Sequence, residues 1–163
     1  MRVSDAFQRR ALRAFGRIPA VVRRTLVRLW APSFTVGALC VIVDGDRVVL
    51  VRQSYRSHWG APGGLLDRGE APEHAAVREA GEEIGLRVEL TGPAVPMVWP
   101  SYRRVDLAFP GRLVAGVAGT DATPTSPEIE EVRWFPLSGL PRLQKGTAEA
   151  LRLLGLAEPD EPR

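Results

Sequence analysis

The spacing of apolar and polar residues predicts a chain built mostly from short β-strands. Two runs near the start, SFTVGALCVIV (33–43) and RVVLVRQ (47–53), have the length and β-branched content of strands. Asp44-Gly45-Asp46 between them is typical of a hairpin turn. Further short runs, separated by glycine and proline, favour strands at 87–92, 105–109, 112–119 and 131–136.

Helical patterns occur near both ends of the chain and once in its centre. The predicted helices are 4–16, 20–30, 72–84 and 146–156. The central one lies between Pro72, suited to a first helical turn, and Gly85, suited to a helix end. Its small residues Ala76 and Ala80, with Ile84, form a face that can pack closely on a sheet. Strands combined with a few helices indicate an α/β fold with helices packed on a mixed sheet.

Cysteine content and hydropathy narrow the class of protein further. Cys40 is the only cysteine and lies in an apolar run, so we expect a buried thiol and no disulfide framework. We therefore expect a reducing, cytoplasmic location. The longest uncharged run, residues 29–43, is too short and too interrupted to span a membrane.

The basic residues are concentrated at the start of the chain. Residues 1–32 carry eight arginines against Asp5, a balance of +7, so the total of +3 leaves −4 for residues 33–163. Such a segment could bind nucleic acid, lie on an anionic membrane, or pack as helices on the domain or across a dimer. The arginines form no recognised nucleic-acid motif and Pro19 divides the apolar stripe, which favours packing and argues against nucleic acid and membrane partners.

A cluster of glutamates on the central helix is the strongest chemical signal. Glu79, Glu82 and Glu83 stand at i, i+3 and i+4, so they share one helix face, where each like-charged pair destabilises a helix by about 0.2–0.5 kcal/mol. A bound divalent cation would compensate for that repulsion. Hard oxygen ligands favour Mg²⁺ or Mn²⁺, and Mg²⁺ commonly joins carboxylates to substrate phosphates.

The segment from Gly64 to Leu86 resembles the Nudix box. It has Gly64, five residues, Glu70, seven residues and then Arg78-Glu79-Ala80-Gly81-Glu82-Glu83-Ile84-Gly85-Leu86, with every fixed position filled. Ala80 is smaller than the usual aliphatic residue, which affects packing and leaves the carboxylates unchanged. The flanking runs WGAPGG and EIEEVRWFP are also similar to those of the family.

The resemblance implies an α/β/α Nudix sandwich and Mg²⁺-dependent hydrolysis of a nucleoside diphosphate linked to another moiety. Glu82 and Glu83 would bind the metal, with Glu79 a ligand or general base, and the Gly63 carbonyl could join them. Arg78 would orient the glutamates, and Glu70 and Gly64 would support the site. Glu128 could complete the metal site or act as the base, or it could be a solvated surface charge. Homodimers are common in the family, so we expect one here.

Several residues outside the box are candidate substrate contacts. They are His58, Trp59, Trp99, Tyr102 and Arg103; aromatic rings can stack on a base and arginines can hold phosphate. Core packing and surface charge explain the same residues without a ligand. The predicted organisation is a basic helical extension (1–32), a Nudix domain (33–157) and a flexible tail (158–163). An alternative function is a non-catalytic, nucleotide-binding or regulatory Nudix module, although such modules commonly lose box carboxylates.

Overall fold

The computed structural model of the protein describes residues 15–16, 18–31, 33–117, 119 and 122–157. The chain divides into two compact units, Met1–Phe34 and Thr35–Arg163. The first contains helix α1 (Ala20–Trp30), which confirms the helix predicted at 20–30. The predicted helix 4–16 lies outside the described residues up to residue 14, as does the predicted tail 158–163. The docking of the extension therefore stays a prediction.

The second unit contains a mixed sheet that begins with the predicted hairpin. Strand β1 (Thr35–Asp44) is connected by a two-residue turn to β2 (Arg47–Gln53), and Gly45 in that turn has a φ of +62°. Asp44 pairs with Arg47 in antiparallel register, which confirms the hairpin. The remaining strands are β3 (Gly63–Leu65), β4 (Val88–Leu90), β5 (Val95–Trp99), β6 (Arg104–Leu113) and β7 (Ile129–Pro136).

Strand β6 corrects the sequence prediction. The runs 105–109 and 112–119 were expected to be separate strands, but a single strand passes through Pro110 and Gly111 and ends at Leu113. It pairs in parallel with β1 over eight residue pairs, and this long pairing outweighs the local signal for a break. The Pro110 carbonyl still accepts a hydrogen bond from the Thr91 amide at 2.9 Å. Strands β3 and β5 had no sequence prediction.

Two helices cover the two faces of this sheet. Helix α2 (Pro72–Ile84) begins at the predicted proline and ends at Gly85, whose φ of +69° is in the left-handed region. Its buried Ala76, Ala80 and Ile84 pack in one apolar cluster with Cys40, as the small-residue face predicted. Helix α3 (Lys145–Leu153) contributes to a second cluster, which includes Val41 and Leu50. The result is an α/β/α arrangement.

The order of the strands determines where a site can form. The sheet runs β4-β6-β1-β2-β7, with β3 on β1 and β5 on β6. At the beginning of β1, Gly37 pairs with Leu65 of β3 on one side and with Asp106 of β6 on the other. Strand β3 (Gly63–Leu65) is called the glycine strand below. It and the start of β6 therefore lie on either side of the same short stretch of β1. None of the described helices is long and apolar enough to cross a membrane.

Candidate metal and catalytic site

The glycine strand and the end of helix α2 meet through one hydrogen bond. The Gly63 amide donates to Oε2 of Glu83 at 2.9 Å. Glu83 is only 6% exposed, and its burial raises the pKa of its carboxyl group to about 7, although the bond from Gly63 acts in the opposite direction. The neighbouring charges of Glu79, Glu128 and Glu82 raise this pKa further. The fold thus concentrates negative charge around a buried carboxylate.

Arg78 connects the remaining glutamates of the predicted site. Its Nε and Nη2 donate to the two carboxylate oxygens of Glu70 at 2.8 and 3.0 Å. Its Nη1 donates to Glu79 and to Glu82, each at 2.9 Å. The hydrogen bonds with Glu70 are the main reason that the pKa of Arg78 is raised and that the pKa of Glu70 is lowered to about 2. One guanidinium therefore holds three carboxylates in fixed positions.

Glu79 lies directly against the backbone of Gly64. A Cβ atom at position 64 would overlap the carboxylate of Glu79, so only glycine permits this approach. Burial raises the pKa of Glu79, and the hydrogen bond from Arg78 opposes that increase. The close approach of strand β3 to the Glu79 carboxylate therefore requires glycine at position 64.

A single cavity contains these carboxylates. It has a volume of about 1050 Å³ and is lined by Glu79, Glu82, Glu83 and Glu128, among other residues. The Tyr55 hydroxyl donates a 3.4 Å hydrogen bond to Glu128, which follows the last loop before β7. The structure thus brings the loop glutamate into the cavity that the helix glutamates line. Glu130 and Glu131 instead form ion pairs with Arg52, at 2.7 and 2.9 Å.

The donor set suits a hard divalent cation. Among the described residues no group of three or more His, Cys, Asp or Glu side chains is already arranged as a metal cage. Glu79 and Glu82 are held by Arg78, and Glu83 accepts from Gly63. Burial is the main cause of the raised pKa values of Glu79 and Glu83, and neighbouring glutamates add to it, so a bound cation would stabilise both carboxylates. Carboxylate oxygens in that condition are the ligands that Mg²⁺ or Mn²⁺ prefers.

The predicted substrate contacts divide between the cavity and the core. Trp99 and Tyr102 line the same cavity as the glutamates. Trp59 is 9% exposed and packs edge-on against Phe135, with 4.8 Å between ring centroids, so its ring belongs to the core. His58 accompanies Ser57 in a smaller adjoining cavity of about 490 Å³.

Sequence reasoning missed part of the cavity lining. Arg104 lines the cavity, whereas its neighbour Arg103 is not among the lining residues. Asp106 and Lys145 also line the cavity, and neither was a candidate. Asp106 had a detectable signal, because a single carboxylate interrupts the apolar strand VDLAF. Lys145, the only lysine of the chain, had none beyond its position at the start of the last helix.

Comparison with known proteins identifies the family of the chain. Residues 33–154 match the family model described as the NUDIX domain. The chain is 36% identical over 91 residues to the NAD-capped RNA hydrolase NudC of Deinococcus radiodurans, covering 56% of this chain and 31% of that protein. The chain thus spans less than half the length of that curated relative.

Solved structures share the fold. A MutT NUDIX hydrolase from Burkholderia pseudomallei is 28% identical, with a TM-score of 0.57 over 72% of this chain and 95% of that one. An ADP-ribose pyrophosphatase from Streptococcus suis is 24% identical, with a TM-score of 0.60 over 82% and 97% of the two chains, and supports the fold alone. The match to the family model extends over most of the chain, from β1 to α3. The chain therefore belongs to the Nudix hydrolase family.

Proposed function

We propose that this protein hydrolyses a phosphoanhydride bond in a nucleoside diphosphate linked to another moiety, with Mg²⁺ or Mn²⁺ as cofactor. The observation that carries the proposal is one cavity lined by Glu79, Glu82, Glu83 and Glu128, with Arg78 bonded to two of them. Its volume of about 1050 Å³ is sufficient for a nucleotide-sized ligand. The substrate in the name of the NudC relative, NAD-capped RNA, belongs to the same class.

The residues of the site have separate roles in this proposal. Glu82 and Glu83 would hold the metal, and Glu79 would either join them or accept a proton from the attacking water. Arg78 and Glu70 keep the helix carboxylates in position, and Gly64 allows Glu79 to approach the glycine strand. A divalent cation bound there would screen the phosphate charge and lower the pKa of a coordinated water. Glu128 lies in the same cavity and is the alternative proton acceptor.

The experiment is a substrate panel assayed with and without Mg²⁺. It would include ADP-ribose, nucleotide sugars, oxidised nucleotides, dinucleoside polyphosphates, NAD and NAD-capped RNA, with release of phosphate or nucleoside monophosphate as the readout. We expect Mg²⁺-dependent turnover that is lost in Glu82→Gln and Glu83→Gln. Glu73→Gln is the matched control, since Glu73 is an exposed glutamate in the first turn of the same helix.

Two results would contradict the proposal. One is a protein that turns over no member of the panel. The other is turnover that survives in the double variant Glu82→Gln/Glu83→Gln. Tight nucleotide binding by calorimetry, without product in excess Mg²⁺, would instead favour the non-catalytic binding module.

A further inference from the structure

Asp106 is a buried carboxylate in the cavity that the proposed chemistry does not use. It lies on β6 and is 5% exposed. Its Oδ1 accepts a hydrogen bond from Nε of Arg104 at 2.6 Å, and its Oδ2 accepts one from Nε1 of Trp99 at 2.9 Å. Each carboxylate oxygen therefore holds a different side chain, and all three residues line the cavity.

The neighbouring strand leaves space for this group. Gly37 of β1 pairs with Asp106, and a Cβ atom at position 37 would come within 2.5 Å of Oδ1 of Asp106 and 2.9 Å of Nη2 of Arg104. Contacts that short do not occur between real side chains, so a larger residue would displace the ion pair. The missing side chain at Gly37 on β1 thus leaves the space that the Asp106 carboxylate on β6 occupies.

The position of Trp99 follows from its bond to Asp106. Because the indole N–H is already used, the ring can offer a ligand only its π surface and edges. Lys145 Nζ lies over the ring, 5.2 Å from its centroid. Lys145 is therefore a second basic side chain beside Trp99, in addition to Arg104. The cavity therefore combines an oriented aromatic ring with two basic side chains, Arg104 and Lys145.

Asp106 and the side chains it holds lie within the length of a nucleotide from the glycine strand. Asp106, Gly37 and Leu65 are aligned on three neighbouring strands, so Asp106 is two strand spacings, about 10 Å, from β3. The residues that bond to or touch the metal-site carboxylates, Gly63 and Gly64, begin that strand. A ligand with a phosphate near the glutamates can thus extend a planar ring to Trp99.

We propose that Asp106 is a positioning residue that fixes Trp99 and Arg104 as a nucleoside-recognition subsite, with the base on the Trp99 ring. The inference rests on the proposed function, because it names the group that distinguishes one diphosphate substrate from another. Stacking on an aromatic ring is tolerant of base identity, since every base has a π face. Recognition of this kind should favour any of the four nucleoside monophosphates over ribose 5-phosphate.

The test measures binding without catalysis. Wild-type protein in EDTA is titrated with AMP, GMP, CMP, UMP and ribose 5-phosphate, with tryptophan fluorescence and calorimetry as readouts. We expect each of the four nucleotides to bind about tenfold more tightly than ribose 5-phosphate, the order expected for one stacking contact. That ratio should disappear in Trp99→Leu and fall in Trp99→Phe, which keeps a ring but lacks the N–H that bonds to Asp106, and it should fall likewise in Asp106→Asn and Gly37→Ala. The melting temperature of each variant is recorded alongside.

Trp134→Phe is the fluorescence control, because Trp134 donates to the Gly119 carbonyl and does not line the cavity. Equal affinity for ribose 5-phosphate and all four nucleotides in wild type would overturn the inference. So would an unchanged ratio in Trp99→Leu, a variant that leaves the buried Asp106 in place. An unchanged ratio in folded Asp106→Asn would remove the positioning role.

Kinetic data separate this inference from the proposed function. Turnover of the panel by a protein that binds nucleotides no more tightly than ribose 5-phosphate would leave the proposed function intact and overturn the subsite. Tighter binding of nucleotides than of ribose 5-phosphate in EDTA, with no turnover of the panel in Mg²⁺, would support the subsite and contradict the proposed hydrolysis. Where turnover occurs, Asp106→Asn should raise KM for nucleotide substrates more than it lowers kcat, because Asp106 acts through groups that bind the ring.

Discussion

Arg78 donates a two-bond fork to Glu70, from Nε to Oε1 at 2.8 Å and from Nη2 to Oε2 at 3.0 Å. Glu70 precedes helix α2 and Arg78 lies within it, so the pair connects the loop to the helix. The remaining nitrogen, Nη1, is free to face the carboxylates of Glu79 and Glu82. The fork therefore sets the direction of the guanidinium that faces the candidate metal site.

Arg78→Lys should reduce activity although it retains the positive charge. An ammonium group cannot donate the planar fork to Glu70 and also reach Glu79 and Glu82. Loss of a residue that orients ligands typically lowers activity by about 10- to 100-fold, and we expect kcat/KM to fall within that range. Steady-state kinetics would measure it, with Arg68→Lys, at an exposed loop position, as the matched control. Full activity in Arg78→Lys would show that charge alone is sufficient.

Glu70→Gln should alter how stability depends on pH in acid. The folded-state pKa of Glu70 is about 2, below its ordinary value of 4.5, because Arg78 bonds to the charged form. A lowered pKa contributes stability above the unfolded-state value that is lost as pH falls toward the folded-state value. Wild type should therefore lose more of its free energy of unfolding between pH 5 and pH 2 than Glu70→Gln. Urea unfolding at several pH values would measure both slopes, and identical slopes would contradict the prediction.

Gly64→Ala should damage activity far more than stability. The new Cβ would overlap the Glu79 carboxylate and displace it from the cavity. A displacement of about 1 Å in a catalytic group can lower the rate by about a hundredfold. Gly81→Ala, on the helix that carries Glu79, is the control, because its Cβ would meet no other atom within 4 Å. That control should keep its activity and gain about 0.5–1 kcal/mol of stability, measured by thermal or urea unfolding.

Local signals were sufficient to predict helix α2, which carries the glutamates of the candidate site. Pro72 and Gly85 define the limits of helix α2 through their own backbone preferences, and the spacing of its glutamates then determines which face they share. The hairpin at Gly45 is equally local. These features were predicted from neighbouring residues because their geometry depends on little else.

Distant pairing determined the features that the sequence left open. Whether Trp59 or Trp99 faces the cavity depends on the strand against which each packs. Trp59 lies against Phe135 in the core, whereas Asp106 holds the indole of Trp99 at the cavity. Strand β6 continues through Pro110 because β1 pairs with it along its length. None of these relationships has a signature within a short window of residues.

Cys40 should be unreactive in the native protein. Its side chain is fully buried between β1 and helix α2, and burial raises the pKa of the thiol to about 12. The thiolate is the reactive form, so its population at pH 8 is very small. We expect no labelling by a thiol reagent within an hour in buffer and complete labelling in urea, followed by mass spectrometry. Rapid labelling of the folded protein would contradict the buried position.

Mg²⁺ should stabilise the wild-type protein and fail to stabilise Glu83→Gln. Glu83 is a buried carboxylate surrounded by Glu79, Glu82 and Glu128, so a cation bound by the folded state alone offsets their repulsion. At 100 times its dissociation constant, such a ligand adds about 2.7 kcal/mol. For a chain of this size that corresponds to an increase in melting temperature of roughly 5–10 °C.

Glu83→Gln removes both a proposed metal ligand and a buried negative charge. Without Mg²⁺ this variant should therefore melt at or above the wild-type temperature, since the like-charge repulsion is smaller and the amide oxygen can still accept from Gly63. With Mg²⁺ the order should reverse, because only the wild type binds the cation. Glu73→Gln, on the exposed first turn, should respond to Mg²⁺ as the wild type does. Scanning calorimetry of the three proteins in EDTA and in Mg²⁺ would show the reversal, and an equal increase in all three would place the cation elsewhere.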